Sequence, residues 1–310
     1  MVDITEISKT LVCPQCHLPL VPGENSLRCE VCNQVFVANR YEYFDFILNS
    51  TLYGVESVTE DYATIQHECG DRVYEEYIKG YLSREPFSRV LDVGCGIGRG
   101  IMKLLEEGYE AYGVDLPNLS RFWSKARNDP DHFFCCDAAH LPFPDNFFDV
   151  IFSLGVIEHI GTQIGHCTLV NHCDKERQKY ANEILRVTRP RGRILISCPN
   201  KHFPIDIQHG PRDVLSPPSR LRSFLFEKTG LNVHPTWGRY HLLSYSETER
   251  LFCKHGGARA FYPQRLKGFF AFTRIRPLAF RRLVTLYCNH LPRFLLPTFF
   301  NPYVLVEIRK

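Results

Sequence analysis

Residues 88–100 read SRVLDVGCGIGRG, a branched apolar run and an aspartate followed by glycines at 94, 96, 98 and 100. A strand that ends in such a turn and passes into a helix lets a ligand approach bare backbone. The downstream residues narrow the fold. From Val90 onward, apolar strand-like runs alternate with amphipathic helical ones, the pattern of a parallel sheet with helices on both faces. Strands are expected at RVLDVG, YEAYGVD, HFFCCDA, DVIFSLGV and GRILISCPN, with later ones at ARAFYPQ and PYVLVEIRK. Helices are expected near 98–107, near 117–128 and near 174–188, the last ended by RPRG. In a further helix, SETERLFCKHG, Ser246 and Glu249 have the spacing of a capping box.

The glycine spacing discriminates among ligands. It is GxGxG, through Gly94, Gly96 and Gly98; the third glycine of a dinucleotide site would fall on Arg99, and no GK[ST] is present beyond it to make a P-loop. Asp115 closes the second strand 21 residues after Gly94, where a carboxylate can accept from both hydroxyls of a ribose. Asp137 ends the third strand, in reach of an adenine amino group. Three strand ends in register therefore fit a ligand with a ribose and an adenine.

VLDVGCGIGRG, GVDL, CDAAHLPFPDNFFDVIFSLGVIEHI and EILRVTRPRGRILISCPN resemble the motifs of class I S-adenosylmethionine-dependent methyltransferases, especially the group related to ubiquinone and menaquinone biosynthesis enzymes. The resemblance covers residues 85–200 and, more loosely, 241–310. It implies an α/β, Rossmann-like sheet of seven strands with helices on both faces and a reversed final strand, which PYVLVEIRK would supply. It also implies roles by position. Asp92 organises the loop and the cofactor's amino group, Gly94, Gly96 and Gly98 admit its methionine portion, Asp115 with Leu116 holds the ribose, and Asp137 with Ala138 frames the adenine. Ser153 and Leu154 would lie beside the sulfonium.

Nearer the start, CPQCHLPLVPGENSLRCEVC sets Cys13, Cys16, Cys29 and Cys32 as two CxxC pairs separated by twelve residues. Two such knuckles complete a tetrahedral thiolate site of the kind zinc prefers, with no open position, so the expected ion is structural and its binding is coupled to folding. The chain's 13 cysteines are too sparse for a disulfide scaffold, and MVDITEISKT does not read as a secretory signal, so a cytoplasmic, reducing setting is expected. The domain reading is a zinc ribbon over 1–45, a helical linker or lid over 46–85, and the methyltransferase domain over 86–310.

Methyl transfer from a sulfonium is largely a matter of alignment. A hydroxyl acceptor also needs its proton removed, and histidine suits that task at neutral pH. His159, in GVIEHI at the end of the fourth strand, is the first candidate base and His209, in PNKHFPIDIQHG, the second. Glu158 alone is weak support for a catalytic metal. Residues 200–245 exceed an ordinary connection and are expected to shape the acceptor pocket, with Trp237, Tyr240 and His241 among them. A shorter insertion, GTQIGHCTLVNHC, holds His166, Cys167, His172 and Cys173 at a spacing that fits no standard metal site.

The net charge of +3 hides an asymmetry: residues 259–310 hold ten Lys/Arg and one Glu. In the basic segment of about 265–300, Phe280, Leu283, Val284, Tyr287 and Leu291 fall on one helical face between Pro277 and Pro292, and arginines interrupt every long apolar run. Such a helix can lie on an anionic membrane to reach a lipid-linked acceptor, or pack over the pocket. The expected function is S-adenosylmethionine-dependent methylation of a small-molecule or lipid-linked acceptor, at oxygen. A second reading is an RNA methyltransferase, since ribosomal-RNA guanine methyltransferases also set a small zinc module before this fold and a basic end can track phosphates. A third, a non-catalytic scaffold, predicts damaged cofactor motifs, and these are intact.

Overall fold

The computed structural model describes residues 4–48, 60–83, 86–163, 168–206, 208–210, 219–266 and 275–310. Helix α1 (Ile4–Thr10) precedes four short strands, β1 (Val21–Pro22), β2 (Ser26–Arg28), β3 (Val35–Ala38) and β4 (Phe44–Asp45). A helical stretch comes next: α2 (Glu60–Val73), a wider π turn over Tyr74–Ile78, and α3 (Lys79–Leu82). The alternating portion runs β5 (Arg89–Val93), α4 (Arg99–Glu106), β6 (Glu110–Asp115), α5 (Ser120–Lys125), β7 (Phe133–Cys135), β8 (Phe148–Leu154), α6 (Cys173–Val187) and β9 (Thr188–Pro199). Thereafter come β10 (Ile205–Asp206), α7 (Arg220–Thr229), β11 (Asn232–Val233), α8 (Tyr245–Glu249), β12 (Ala260–Pro263), α9 (Leu278–His290) and β13 (Tyr303–Arg309).

The expected seven strands form in the order β7-β6-β5-β8-β9-β13-β12. The pairs β5/β6, β6/β7, β5/β8 and β8/β9 are parallel, and β13 runs antiparallel to both β9 and β12, so the last strand is reversed as expected. Glycine-loop, β6 and β7 ends thus lie side by side at the carboxyl edge, where ligands bind in open α/β sheets. The sheet is also larger than expected. β4 pairs in parallel with β7 through Asp45 and Cys135, so the four N-terminal strands extend it to eleven. Phe46 N donates to Cys135 O at 2.8 Å and Val12 N to Pro142 O at 2.9 Å, and Phe44 and Phe46 are buried in the same core as Phe134. Burial against β7 is what a ribbon too small to hold its own core requires.

One local expectation is corrected. The capping box of α8 is Ser244 with Glu247, not Ser246 with Glu249: Ser244 is extended (φ −96°, ψ 167°), and each partner bonds the other's backbone N–H. The helix expected near 174–188 does end before RPRG, α6 stopping at Val187, and β9 begins at once at Thr188, taking in the segment through a register shift with Arg191 at φ 66°. The helix expected near 117–128 begins as a tight turn over Pro117–Leu119 before α5.

The helical stretch over 60–82 is clamped to the glycine loop's helix. Asp71 of α2 takes both Nε and Nη2 of Arg99 at 2.9 Å, and Glu75 meets Lys103 at 3.0 Å. Among the described residues no helix is long and apolar enough to cross a membrane.

Candidate active site

The glycine loop is built so that only bare backbone fits. Gly98, the N-cap of α4, sits at φ 81°, and a Cβ there would come 2.5 Å from the Phe133 ring; a Cβ at Gly94 would collide with the Val156 side chain. The loop is fastened from both sides. Asp115 Oδ2 accepts from Gly96 N at 2.7 Å, and buried Trp123 donates its indole N–H to Gly96 O at 2.7 Å. Trp123 in turn packs edge-on against Tyr43 of the ribbon, with ring centres 5.2 Å apart. Gln66 of α2 reaches over the loop, its Oε1 2.9 Å from where a Gly96 Cβ would stand.

Two carboxyls face the loop. Loss of hydration pushes Asp92 up to about 7, with repulsion from Asp115 adding to it. Burial pushes Asp115 up to about 6, against the N–H groups of Leu116 and Gly96, which favour its charged form. Carboxyls held this high gain most from a ligand that brings hydroxyls, an ammonium or a sulfonium. Asp137 holds its own turn, accepting from Ala139 N at 2.9 Å with His140 Nδ1 at 3.2 Å, and Ala138 is half-buried beside it. Leu116 and Leu154 are half-buried at the ends of β6 and β8. Ser153 differs from the rest: it is fully buried and its hydroxyl accepts from Tyr180 at 2.7 Å, on the side of α6.

Beyond β8 the chain turns through Ile157–His159, directly after Val156, the residue against Gly94. His159 and His209 meet there, Nε2 to Nε2 at 3.4 Å. His209 is buried, and its Nδ1 lies 2.7 Å from Asp206 Oδ2. Burial would raise Asp206, yet the His209 imidazole and three hydrogen bonds hold it at about 2. Glu158 is fully buried, and burial pushes it up to about 7. His241 is also fully buried, its ring centre 5.0 Å from that of His209, and burial, with His209 next, drives it down to about 2. So the structure brings both candidate bases together and adds Asp206 and His241. The His209 spacing from Asp206, three residues, is a usable sequence signal; His241 has none, because its approach depends on the long insertion folding back. Part of that insertion, 211–218, lies outside the described residues, as do His166 and Cys167. Cys173 is buried at the start of α6 and joins no metal-like cluster among the described residues.

The four ribbon cysteines converge, their sulfurs within 4.8 Å of one another. The two knuckles are alike. Cys13 N donates to Leu18 O and Cys29 N to Gln34 O, both at 2.9 Å, and the residues after each pair, His17 and Asn33, turn at φ 60° and 54°. Cys32 N points at Cys29 Sγ, 3.4 Å away, and that N–H leads the influences that lower the Cys29 thiol to about 7, as a thiolate ligand wants.

Residues 91–196 match the family model described as a methyltransferase domain. The chain carries a class I S-adenosylmethionine-dependent methyltransferase domain. The methyltransferase is 28% identical over 206 residues to a probable S-adenosylmethionine-dependent methyltransferase of Mycolicibacterium smegmatis, covering 64% of this chain and 69% of that protein. To the probable tRNA methyltransferase 9B of Mus musculus it is 27% identical, covering 67% of this chain and 39% of that protein. To a demethylmenaquinone methyltransferase of Beutenbergia cavernae it is 26% identical, with 41% and 47% covered. The chain thus spans less than half the length of the latter two. An intact methyltransferase domain removes the scaffold reading.

Proposed function

We propose that this methyltransferase methylates an oxygen of a small-molecule or lipid-linked acceptor, in the manner of the ubiquinone and menaquinone group, in the cytoplasm and at the membrane surface. The observation that carries the reading is the His159–His209 pair, backed by Asp206 and set one turn from the residue that abuts Gly94. S-adenosylmethionine, when bound, supplies an electrophilic methyl on a good leaving group. Gly94, Gly96 and Gly98 leave room for its amino-acid end, Asp92 meets its ammonium, Asp115 beside Leu116 takes the ribose, and Asp137 with Ala138 flanks the base. Leu154 closes the apolar side of the pocket, and Ser153 holds the end of β8 through Tyr180 rather than by touching a ligand. The acceptor hydroxyl docks against the histidine pair and gives up its proton there. Cys13, Cys16, Cys29 and Cys32 hold a structural zinc.

Incubation with methyl-labelled cofactor and fractionated lipid, small-molecule and RNA extracts is expected to label the lipid or small-molecule fraction at oxygen. His159→Ala should keep cofactor affinity and slow transfer by about 10²- to 10⁴-fold. Label appearing in RNA alone would replace this reading with the RNA one.

The membrane part rests on α9. Leu278, Leu283 and Leu286 are each more than half exposed, as are Phe294 and Phe299 just beyond it. Exposed Arg276, Arg282 and Arg293 lie among them, while Cys288 and Leu291 anchor the helix to the body. An apolar ridge with arginines at its margin matches an anionic lipid surface. Co-sedimentation with vesicles containing phosphatidylserine is expected, with Leu283→Asp/Leu286→Asp weakening it at least about tenfold, since each buried leucine contributes roughly 1.5–3 kcal/mol. Equal retention of the double variant would remove the membrane from the account.

A further inference from the structure

A single buried side chain reaches both ends of the histidine group. His159, His209 and His241 stand in a row, with ring centres 5.2 Å apart in the first pair and 5.0 Å in the second, and the rings meet edge to face at 70° and 89°. His159 belongs to the turn after β8, His209 to the loop after β10 and His241 to the far end of the 200–245 insertion, so no local spacing sets the row. Arg177, on the second turn of α6, touches both of its ends through the backbone. Its Nε donates to Ile160 O at 3.3 Å, one residue past His159, and its Nη2 donates to His241 O. We propose that Arg177 is a positioning residue for methyl transfer: one guanidinium grips the carbonyls at the first and last imidazoles, fixes the length of the row, and so holds His159 and His209 together as a pair.

Three observations carry this. First, Arg177 is only 9% exposed, yet it has no carboxylate partner among the described residues. The acids nearest to it in sequence are engaged elsewhere, Asp174 with Arg239 at 2.8 Å and Glu176 with Lys179 at 3.1 Å. A buried cation without a counter-ion is a poor source of stability, and an apolar side chain would serve better. What the guanidinium supplies is a link between two segments that nothing else in the row ties together.

Second, the His241 ring has no polar tether of its own. It is fully buried, and neither ring nitrogen has a hydrogen-bond partner among the described residues, so its place depends on packing and on the backbone that Arg177 holds. Third, the middle ring is set independently, His209 Nδ1 lying 2.7 Å from Asp206 Oδ2, which leaves the two ends to be fixed. Thr162 Oγ1 donates to His159 O at 2.7 Å, but from within the same turn, so it cannot join that turn to the insertion. Arginine's planar fork keeps two donors at a fixed separation and direction, as a lysine ammonium does not.

The consequence for rate rests on the reading of the histidine pair as the base, whereas the geometric link does not. The test compares Arg177→Gln and Arg177→Lys with wild type in the full-length protein. NMR cross-relaxation between the His159 and His209 ring protons is expected in wild type, weakened in Arg177→Lys and lost in Arg177→Gln. With labelled cofactor and the extract fraction that takes the label, kcat should fall about 100-fold in Arg177→Gln and about 10-fold in Arg177→Lys, since a misplacement of about 1 Å costs on that order. KM and cofactor affinity should stay unchanged. A residue that served the fold alone would lower the melting temperature and leave kcat per folded molecule as it was. Should Arg177→Gln fail to fold, Arg177→Lys decides. Ring contacts kept in the folded variants overturn the proposal, as does wild-type kcat in a variant that has lost them. If His159→Ala itself turns over at the wild-type rate, the base reading falls instead, and the ring contacts alone decide whether Arg177 sets the row.

Discussion

Asp115→Ala is expected to weaken S-adenosylmethionine binding by about 100-fold or more while leaving the chain folded. In the proposed reading the carboxylate accepts from two ribose hydroxyls, and each hydrogen bond to a charged group contributes roughly 1.5–3 kcal/mol. The substitution also strips the acceptor from Gly96 N–H, so the loop loses one of its two fastenings and keeps only the Trp123 indole. Asp115→Asn retains an acceptor for that N–H and separates the two effects: it should restore the loop but bind cofactor poorly. Acidity provides a second check. The ionised carboxylate is the form that accepts, and its pKa in the free protein is about 6, so protons and cofactor compete below that value. Affinity should fall by up to about tenfold per unit below pH 7, where Asp92 takes up its proton, and more steeply, up to about a hundredfold per unit, below pH 6, where Asp115 joins it. In Asp115→Asn the steeper limb disappears. Calorimetric binding of S-adenosylhomocysteine to Asp115→Ala with wild-type affinity would dissociate Asp115 from the cofactor.

The second large effect concerns the ribbon. Removal of zinc with a strong chelator, or Cys29→Ala, is expected to unfold residues 4–48 and make them the first region cut by protease. The strands there are two to four residues long and bury few side chains of their own, so the zinc proposed above would carry their folding, on the order of 10 kcal/mol in comparable thiolate sites. The damage should not stop at the ribbon. Its release uncovers the edge of β7 and the face of Phe134, and withdraws Tyr43 from Trp123, so cofactor affinity should fall as well. Zinc at one equivalent by elemental analysis, with loss of both zinc and protease resistance in the variant, is the expected outcome. A zinc-free Cys29→Ala protein that melts at the wild-type temperature would assign the four thiols to burial alone.

Legibility in the sequence tracks the range of the interactions involved. The strand–glycine–helix turn, the two CxxC knuckles and the reversed β13 are local patterns, and their residues lie where the pattern puts them. The α8 cap is ambiguous in sequence because SxxE occurs twice, at Ser244–Glu247 and Ser246–Glu249. The choice is made elsewhere, by the parallel bridge of Leu243 to Asn200 that keeps the chain extended as far as Ser244. The joining of ribbon to sheet is not readable either, since it turns on contacts between distant segments, Asp45 with Cys135 and Val12 with Pro142. The same holds for the histidine cluster. Its members stand up to 83 positions apart, from Glu158 to His241, and the pairing of β10 with β11 that brings the insertion back carries no signature in two-residue strands. Roles by position also need the side chain's direction. Ser153 sits where the motif places it, yet its hydroxyl is engaged with α6.

The chain has two tryptophans, and they lie in opposite surroundings: Trp123 is sealed in the core with its indole N–H on the glycine loop, while Trp237 is 76% exposed on the groove lined by Pro204, Val233 and His234. The molecule therefore contains a pair of intrinsic optical probes, one blue-shifted and shielded from iodide, the other red-shifted and open to it. Events at the glycine loop and at the groove around Trp237 are separable by wavelength in the unlabelled protein.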